Sequence, residues 1–301
     1  MSAFAAYVAG RLPVGEAHEE PGKRAAARLH FRCGADGITY LAEQRVGYPF
    51  HITKVFRLEP EWPELATLYL QSVSGGLFQG DRLTLVCEAE AGAAVQLTTQ
   101  ASTKVHSMER DFAVQTVKLK VRSGAYLEYL ADPAILFPAS RLLARITLES
   151  AADSEALLSD SFLFHDPAQE AGAERRPAFD AYAAEVLIED EEHRLLAADR
   201  FLIEKPEADH GNPALAAGYL AQGAVYALSR RKSPQTVASA LRASLEAVPE
   251  VYAGVSVLPN GCGAFARVLA PDGAALRAAL EALIAAGRWA LAGKAMSRLR
   301  K

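Results

Sequence analysis

Residues 75–104 read GGLFQGDRLTLVCEAEAGAAVQLTTQASTK, and this stretch decides the fold class. From Arg82 to Glu90 the residues alternate, with Leu83, Leu85 and Cys87 on one face, which is the period of a half-buried strand. Gly92 then marks a turn, and a second strand begins beyond it. The glycines upstream nearly spell a phosphate-binding loop: Gly75 and Gly80 stand at the right spacing, with Gly76 between them. However, Asp81 and Arg82 occupy the positions that need Lys and a hydroxyl residue. An acid there repels phosphate, and a strand follows where a helix is required. The segment therefore predicts a tight turn between strands and no nucleotide hydrolysis.

The same strand, turn, strand unit recurs. LVCEAEAGAAVQL surrounds Gly92, LKVRSGAYLEYL surrounds Gly124 and TLESAADSEALL surrounds Asp153, at intervals of about 30 residues. No such unit buries its apolar face alone, so stacking is required. The expected architecture is mainly β, with stacked antiparallel strands in a β-helix-like or sandwich-like pile. AAEVLIEDEEHRLLAADRFLIE, residues 183–204, predicts a hairpin with the acidic run Glu189–Glu192 at its tip.

Helices are expected in the C-terminal third. Pro213–Arg230 and Pro234–Val248 are rich in Ala and Leu, with Val237, Leu241, Leu245 and Val248 at helical spacing. A third helix is expected after an N-cap at Asp272, with Leu276, Ala279, Leu280, Leu283 and Ile284 on one stripe, ending near Gly287 before a basic tail. Between them, Gly254–Ala270 reads as strand around an Asn260-Gly261 turn, which disqualifies the Gly261-x-Gly263-x-x-Ala266 dinucleotide match. The charged segment at 15–24 predicts a mobile arm over 1–24 ahead of a single domain over 25–301.

Composition narrows the function. With 301 residues, 50% hydrophobic and 23% charged, the chain belongs to the ordinary globular class. No apolar run reaches the roughly 18 residues of a membrane span, and the start lacks a basic region before a long apolar stretch, so a cytoplasmic protein is expected. A net charge of -4 argues against nucleic acid or anionic membrane as partner and leaves proteins and small ligands. Cys33, Cys87 and Cys262 are isolated and read as inert thiols. The seven histidines show no metal-ligand spacing, and no GxSxG elbow is present.

The carboxylates carry most of the remaining chemistry. Asp81 follows the glycine-rich turn, Glu128 interrupts an apolar strand between Leu127 and Tyr129, and Asp132 ends that strand. Glu128 either faces solvent by ordinary alternation or points into a polar interior passage, and alternation favours solvent. Lys104, after Thr98 and Thr99, is either a ligand-binding cation or an edge lysine that discourages aggregation.

Taken in order, GGLFQGDRLTL, QLTTQASTKVH, GAYLEYLADPAILFPASR and SVLPNGCGAFARVLAPDGAALRAALEAL resemble the UreD family of urease accessory proteins, called UreH in some lineages. The resemblance spans about Ala27 to Leu291, and departs from the family pattern after Phe164. It implies a non-enzymatic scaffold that binds urease apoprotein and recruits UreF and, through it, UreG for GTP-dependent nickel insertion. It also implies no tightly bound cofactor, and a transient Ni²⁺ passage to which Asp81, Glu128 and Asp132 contribute. Gly75, Gly76, Gly80, Thr98, Thr99 and Lys104 stand at the family's motif positions. A second reading is a stacked-β carbohydrate hydrolase or lyase using Glu128 and Asp132 as paired acids, against which the 8% aromatic content argues. A third is a protein-interaction module unconnected to metal.

Overall fold

The three repeats become three rungs of a two-sheet stack. The computed structural model describes residues 22–163, 179–204 and 218–297, together with Val8 and Gly10. In chain order the strands are β1 (Arg24–Cys33), β2 (Thr39–Val46), β3 (Phe50–His51), β4 (Ala66–Ser72), β5 (Arg82–Ala89), β6 (Ala94–Thr99), β7 (Lys104–Val105), β8 (Ala113–Val121), β9 (Tyr126–Leu130), β10 (Ala134–Leu136), β11 (Arg141–Ser150), β12 (Glu155–Leu163), β13 (Ala181–Asp190), β14 (Leu195–Glu204) and β15 (Ala221–Ser229). Helix α1 (Pro234–Leu245), β16 (Tyr252–Val257), β17 (Gly263–Ala270) and helix α2 (Gly273–Ala292) complete the described elements.

One sheet runs β14-β13-β11-β8-β5-β1-β2 and the other β16-β17-β15-β12-β9-β6-β4-β3, with β10 and β7 attached beside β12. Each repeat gives one strand to each sheet: β5 and β6, β8 and β9, β11 and β12. The pile is β-helix-like, as expected, but its centre is not antiparallel. β5 pairs β8 and β8 pairs β11 in parallel, and so do β4, β6, β9 and β12 in turn. The physical reason lies in the turns. Gly92 (φ +73°) and Gly124 (φ +64°) let the chain cross from one sheet to the other instead of returning beside itself, so successive rungs run in the same direction. Antiparallel pairing is confined to the flanks, including the expected hairpin β13–β14. There Asp190 closes the turn by accepting from the backbone N–H groups of Glu192 and Arg194 at 3.1 and 2.9 Å.

Stacked in register, Leu85, Val117 and Ile146 of one sheet face the inter-sheet core, and Leu97, Tyr129 and Leu158 face it from the other. The second sheet is covered on its other face as well. Leu157, Val225 and Ala266 pack there against Leu276, Leu280 and Leu283 of α2 and Val237 and Leu241 of α1. Burial on both faces removes the polar alternation that marks a one-sided strand.

Two expectations fail for that reason. The segment expected as a helix over Pro213–Arg230 forms β15 from Ala221 onward, fully buried, and residues 213–217 lie outside the described ones. Its small side chains form a floor for α2: a Cβ on Gly223 would lie 3.0 Å from both Leu276 Cδ1 and Leu280 Cδ2. The last helix does not end at Gly287. It continues to Ala292 and stops at Gly293, which takes the left-handed φ of +65°. Gly287 is instead a packing contact, since a Cβ there would meet Leu157 Cδ1 at 2.7 Å.

Two of the three expected helix starts hold. Asp272 accepts from Ala275 N at 2.8 Å, and Ser233 caps α1. The divergent segment after Phe164 and the arm up to residue 21, apart from Val8 and Gly10, lie outside the described residues. Lys23 and Arg24 are tied to β5 through the Arg82 N–H, which donates to Lys23 O at 2.8 Å. Among the described residues no helix is long and apolar enough to cross a membrane.

Gly263 combines φ +138° with a backbone oxygen, Ala227 O, 2.2 Å from where its Cβ would stand, whereas Gly254 meets nothing within 4 Å. Gly263→Ala is expected to destabilise by at least about 2 kcal/mol and Gly254→Ala to be neutral or slightly stabilising. Urea unfolding of the two variants checks this.

Candidate functional site

Parallel register places Thr67 beside Gln96 and Gln96 beside Glu128, on neighbouring strands of the second sheet. Alternation turns these side chains toward the helices, the side that Tyr126 and Leu130 also occupy. Glu128 is therefore neither solvated nor between the sheets: it is fully buried under α2. Its Oε1 accepts from the Tyr126 hydroxyl at 2.6 Å and Arg288 Nε at 2.7 Å. Oε2 accepts from Gln96 Nε2 at 2.8 Å and Arg288 Nη2 at 2.6 Å. Arg288 Nη1 donates to Glu59, whose other oxygen accepts from Ser297 N at 2.8 Å. Burial pulls the Arg288 pKa down, but the charge and hydrogen bonds of Glu128 outweigh it and raise it above the usual arginine value. Burial likewise pushes Glu59 up, and its bonds to Arg288 and Ser297 reverse the shift to a net lowering. The Tyr126 hydroxyl is driven well above its ordinary range, first by burial and then by the Glu128 charge.

Asp81 is committed in a similar way. It is 1% exposed, and its oxygens accept from Lys23 N at 2.8 Å, Phe78 N at 2.9 Å and Lys23 Nζ at 2.6 Å. It closes the glycine-rich turn and fixes the start of β1. In that turn Gly76 permits close approach: a Cβ would stand 2.4 Å from Lys104 O, and Leu77 N donates to the same oxygen at 2.8 Å. Gly75 and Gly80 take φ values of +76° and +78°. The GGLFQGD and TTQASTK blocks thus lie side by side.

Beneath them is a cavity of about 210 Å³ whose lining includes Gly75, Gly76, Thr99, Thr103, Lys104 and Gln115. Thr99, Thr103 and Gln115 also line a smaller one of about 40 Å³, together with Asp132, Tyr129, Asp160 and Tyr182. Thr99 joins the two chemically, because its hydroxyl accepts from Asp132 N at 2.9 Å and donates to Asp132 Oδ2 at 3.2 Å. Thr98 points the other way and donates to Leu130 O at 2.7 Å. Next to the small cavity, Asp199 takes the Arg267 guanidinium and the Tyr226 hydroxyl, while Asp160 receives the Tyr182 hydroxyl at 3.4 Å and a backbone hydrogen bond at Ser161. Burial raises Asp160 to about 6, against the pull of Arg267.

Of the expected site residues, Asp132, Thr99, Lys104, Gly75 and Gly76 line the cavities, and Asp81, Glu128, Thr98 and Gly80 do not. Among the described residues no three His, Cys, Asp or Glu side chains converge as a metal site. All three cysteines are free, and burial pushes the Cys87 thiol up, as expected of an inert thiol.

A family profile described as UreD urease accessory protein matches residues 23–301. The chain belongs to the UreD family. Relatives named urease accessory protein UreD 1 in Pseudomonas syringae pv. tomato and Methylorubrum populi are 37% and 38% identical, covering 93% and 96% of this chain and 96% and 98% of theirs. A UreD of Natronomonas pharaonis is 32% identical over 83% of this chain and 81% of its own. Membership in the UreD family assigns a role in urease maturation.

Residue patterns had pointed to the motif blocks but not to Arg288 or Asp160. Arg288 continues the apolar stripe of α2 four residues after Ile284, and Asp160 stands between Leu158 and Phe162 on an inward face. A charge in an apolar stripe was the available signal.

Arg288→Met leaves two buried carboxylates without their cation, and an expected loss of about 3–5 kcal/mol follows. Adding Glu128→Gln is expected to cost less than the sum of the single changes, read from denaturant midpoints. For Asp160, the folded value of about 6 exceeds the ordinary aspartate value of 3.8. The protonated form is the one the fold favours, so stability is retained below pH 4 and lost as pH rises through 6. The melting temperature of Asp160→Asn is expected to gain on wild type between pH 4.5 and 7.

Proposed function

We propose that this UreD-family chain is a non-enzymatic cytoplasmic scaffold. It binds the urease apoprotein, engages UreF and through it UreG, and lets nickel pass between its sheets during GTP-dependent insertion. The observation that carries the passage is the pair of cavities sharing Thr99, Thr103 and Gln115, with motif residues at one and Asp132 and Asp160 at the other. Apart from Lys104 and Arg145, the polar groups in these linings are oxygens and amides, which hold a hydrated dication weakly enough to release it. Asp81 and Glu128 are left out of the lining, since their oxygens are already occupied by donors of this chain. The hydrolase reading loses its support: Glu128 faces the helices and Asp132 the cavity between the sheets, so the two do not flank a common cleft.

The test is nickel content and urease activity in cells carrying Asp132→Asn with Asp160→Asn, with pull-down of urease and the accessory partners as the assembly control. A several-fold fall in nickel per urease with intact assembly is expected. Full activation would remove these residues from the path.

A further inference from the structure

The second sheet ends on one side at β16, which pairs β17 and no other strand among the described residues. An edge strand offers a row of unpaired N–H and C=O groups, and proteins blunt such rows with charge or with brevity. Among the described residues the other three sheet edges follow that rule. β2 carries Glu43 and Arg45, β14 carries Asp199, Arg200 and Glu204, and β3 is two residues long. β16 reads YAGVSV, six residues with no charge and no proline. It also holds two large exposed apolar side chains, Tyr252 at 69% and Val257 at 46%.

The register shows which main-chain groups are free. Leu258 N donates to Gly263 O at 2.8 Å, so these two residues form a hydrogen-bonded pair. Along an antiparallel ladder such pairs alternate with unbonded ones. Ser256, Gly254 and Tyr252 therefore bond β17 opposite Phe265, Arg267 and Leu269, and the main-chain groups of Ala253, Val255 and Val257 point to the open side. Val255 O agrees with this parity, since it is free to accept from Arg242 Nη2 of α1 at 3.3 Å. A carbonyl has two lone pairs, so that contact leaves room for a strand donor.

We propose that the occupant of this edge is β16 of a second copy of the chain, running antiparallel about a two-fold axis at Val255. Val255 then faces the partner's Val255 and Ala253 faces the partner's Val257, and each facing pair exchanges two main-chain bonds. On the helix side the exposed Val257 covers the partner's Ala253. On the other side Gly254 stands beside the partner's Ser256, in space where a Cβ on Gly254 meets nothing within 4 Å of its own chain. The lack of charge is what selects a second copy: a two-fold axis brings the same short strand against itself, where like charges would repel. The two copies then share one continuous sheet, and the pairing stands or falls independently of the passage reading.

Sedimentation velocity of the full chain is expected to show a monomer–dimer equilibrium that shifts with concentration, because one strand pair is a small contact. Val257→Pro removes a donor that no bond within the chain uses, and Val257→Lys puts a charge on the edge. Each should weaken dimerisation at least tenfold without lowering the melting temperature. Ser256→Pro, one residue away, breaks a bond to β17 and should lower the melting temperature. Val255→Cys should oxidise to a covalent dimer, because a residue on the axis meets itself, whereas Tyr252→Cys should not. A monomer at every concentration up to about 100 μM overturns the proposal. So does growth beyond two copies, or a dimer that Val257→Pro and Val257→Lys leave unchanged. Pairing of β16 with a strand of a different protein, read as a complex that Val257→Pro dissolves while Val255→Cys stays monomeric on oxidation, overturns it as well.

Discussion

A guanidinium and a carboxylate that are both withdrawn from water must recover the lost hydration from each other and from their neighbours, or the fold that buries them fails. Arg288 and Glu128, 160 residues apart, meet this demand fully: the carboxylate receives four donors, and the guanidinium reaches a second carboxylate at Glu59. The pair fixes much else. It requires α2 to continue past Gly287, so that Arg288 is helical and lies over β9. It brings the loop containing Glu59 and Trp62 against the same sheet, with Trp62 4.9 Å from Tyr126. It also ties the chain near Ser297 to that loop, so that the last helix is anchored at its far end as well as along its apolar stripe.

The stack around this pair sorts polar residues by parity. Along β6, Val95, Leu97 and Thr99 face the inter-sheet side, and Gln96 and Thr98 face the helices. β9 and β12 obey the same rule, which places Glu128 outward and Asp160 inward. A slip of one residue in β9 would exchange the two sets, putting the Glu128 carboxylate into the apolar core and leaving Arg288 without its partner. The buried polar ladder therefore specifies register in a way that Leu and Val alone would not.

Much of this was legible in residues 75–163. The period of about 30, the turns at Gly92 and Gly124 and the alternation of β5 gave the rungs, because each is a local property of the chain. Strand direction was not local. Whether a turn folds back or crosses to a second sheet depends on what waits on the other side, and parallel pairing joins residues about 30 apart. β15 was misread for a related reason: AQGAVYALS carries the small residues of a helix former, yet they serve to admit α2. For the candidate site, the motif blocks were visible and their roles were not. Asp81 and Glu128 differ from Asp132 only in what surrounds them, and those surroundings come from Lys23 and Arg288, far away in sequence.

That difference bears on how an interior acid should be judged. Glu128 is the most deeply buried of the three candidates and is the least able to accept a ligand, because every lone pair already has a donor. Asp160 is half-buried and is held by the Tyr182 hydroxyl at 3.4 Å and a backbone bond at Ser161, beside an arginine that Asp199 has already engaged, and desolvation outweighs these contacts and raises its pKa. Burial with saturation makes an acid structural; burial without it leaves a charge still seeking compensation, and a cavity beside that charge gives water or a cation room to supply it. By this criterion the acids beside open space, Asp132 and Asp160, lie between the sheets, and the helix side is what holds the sheets in register.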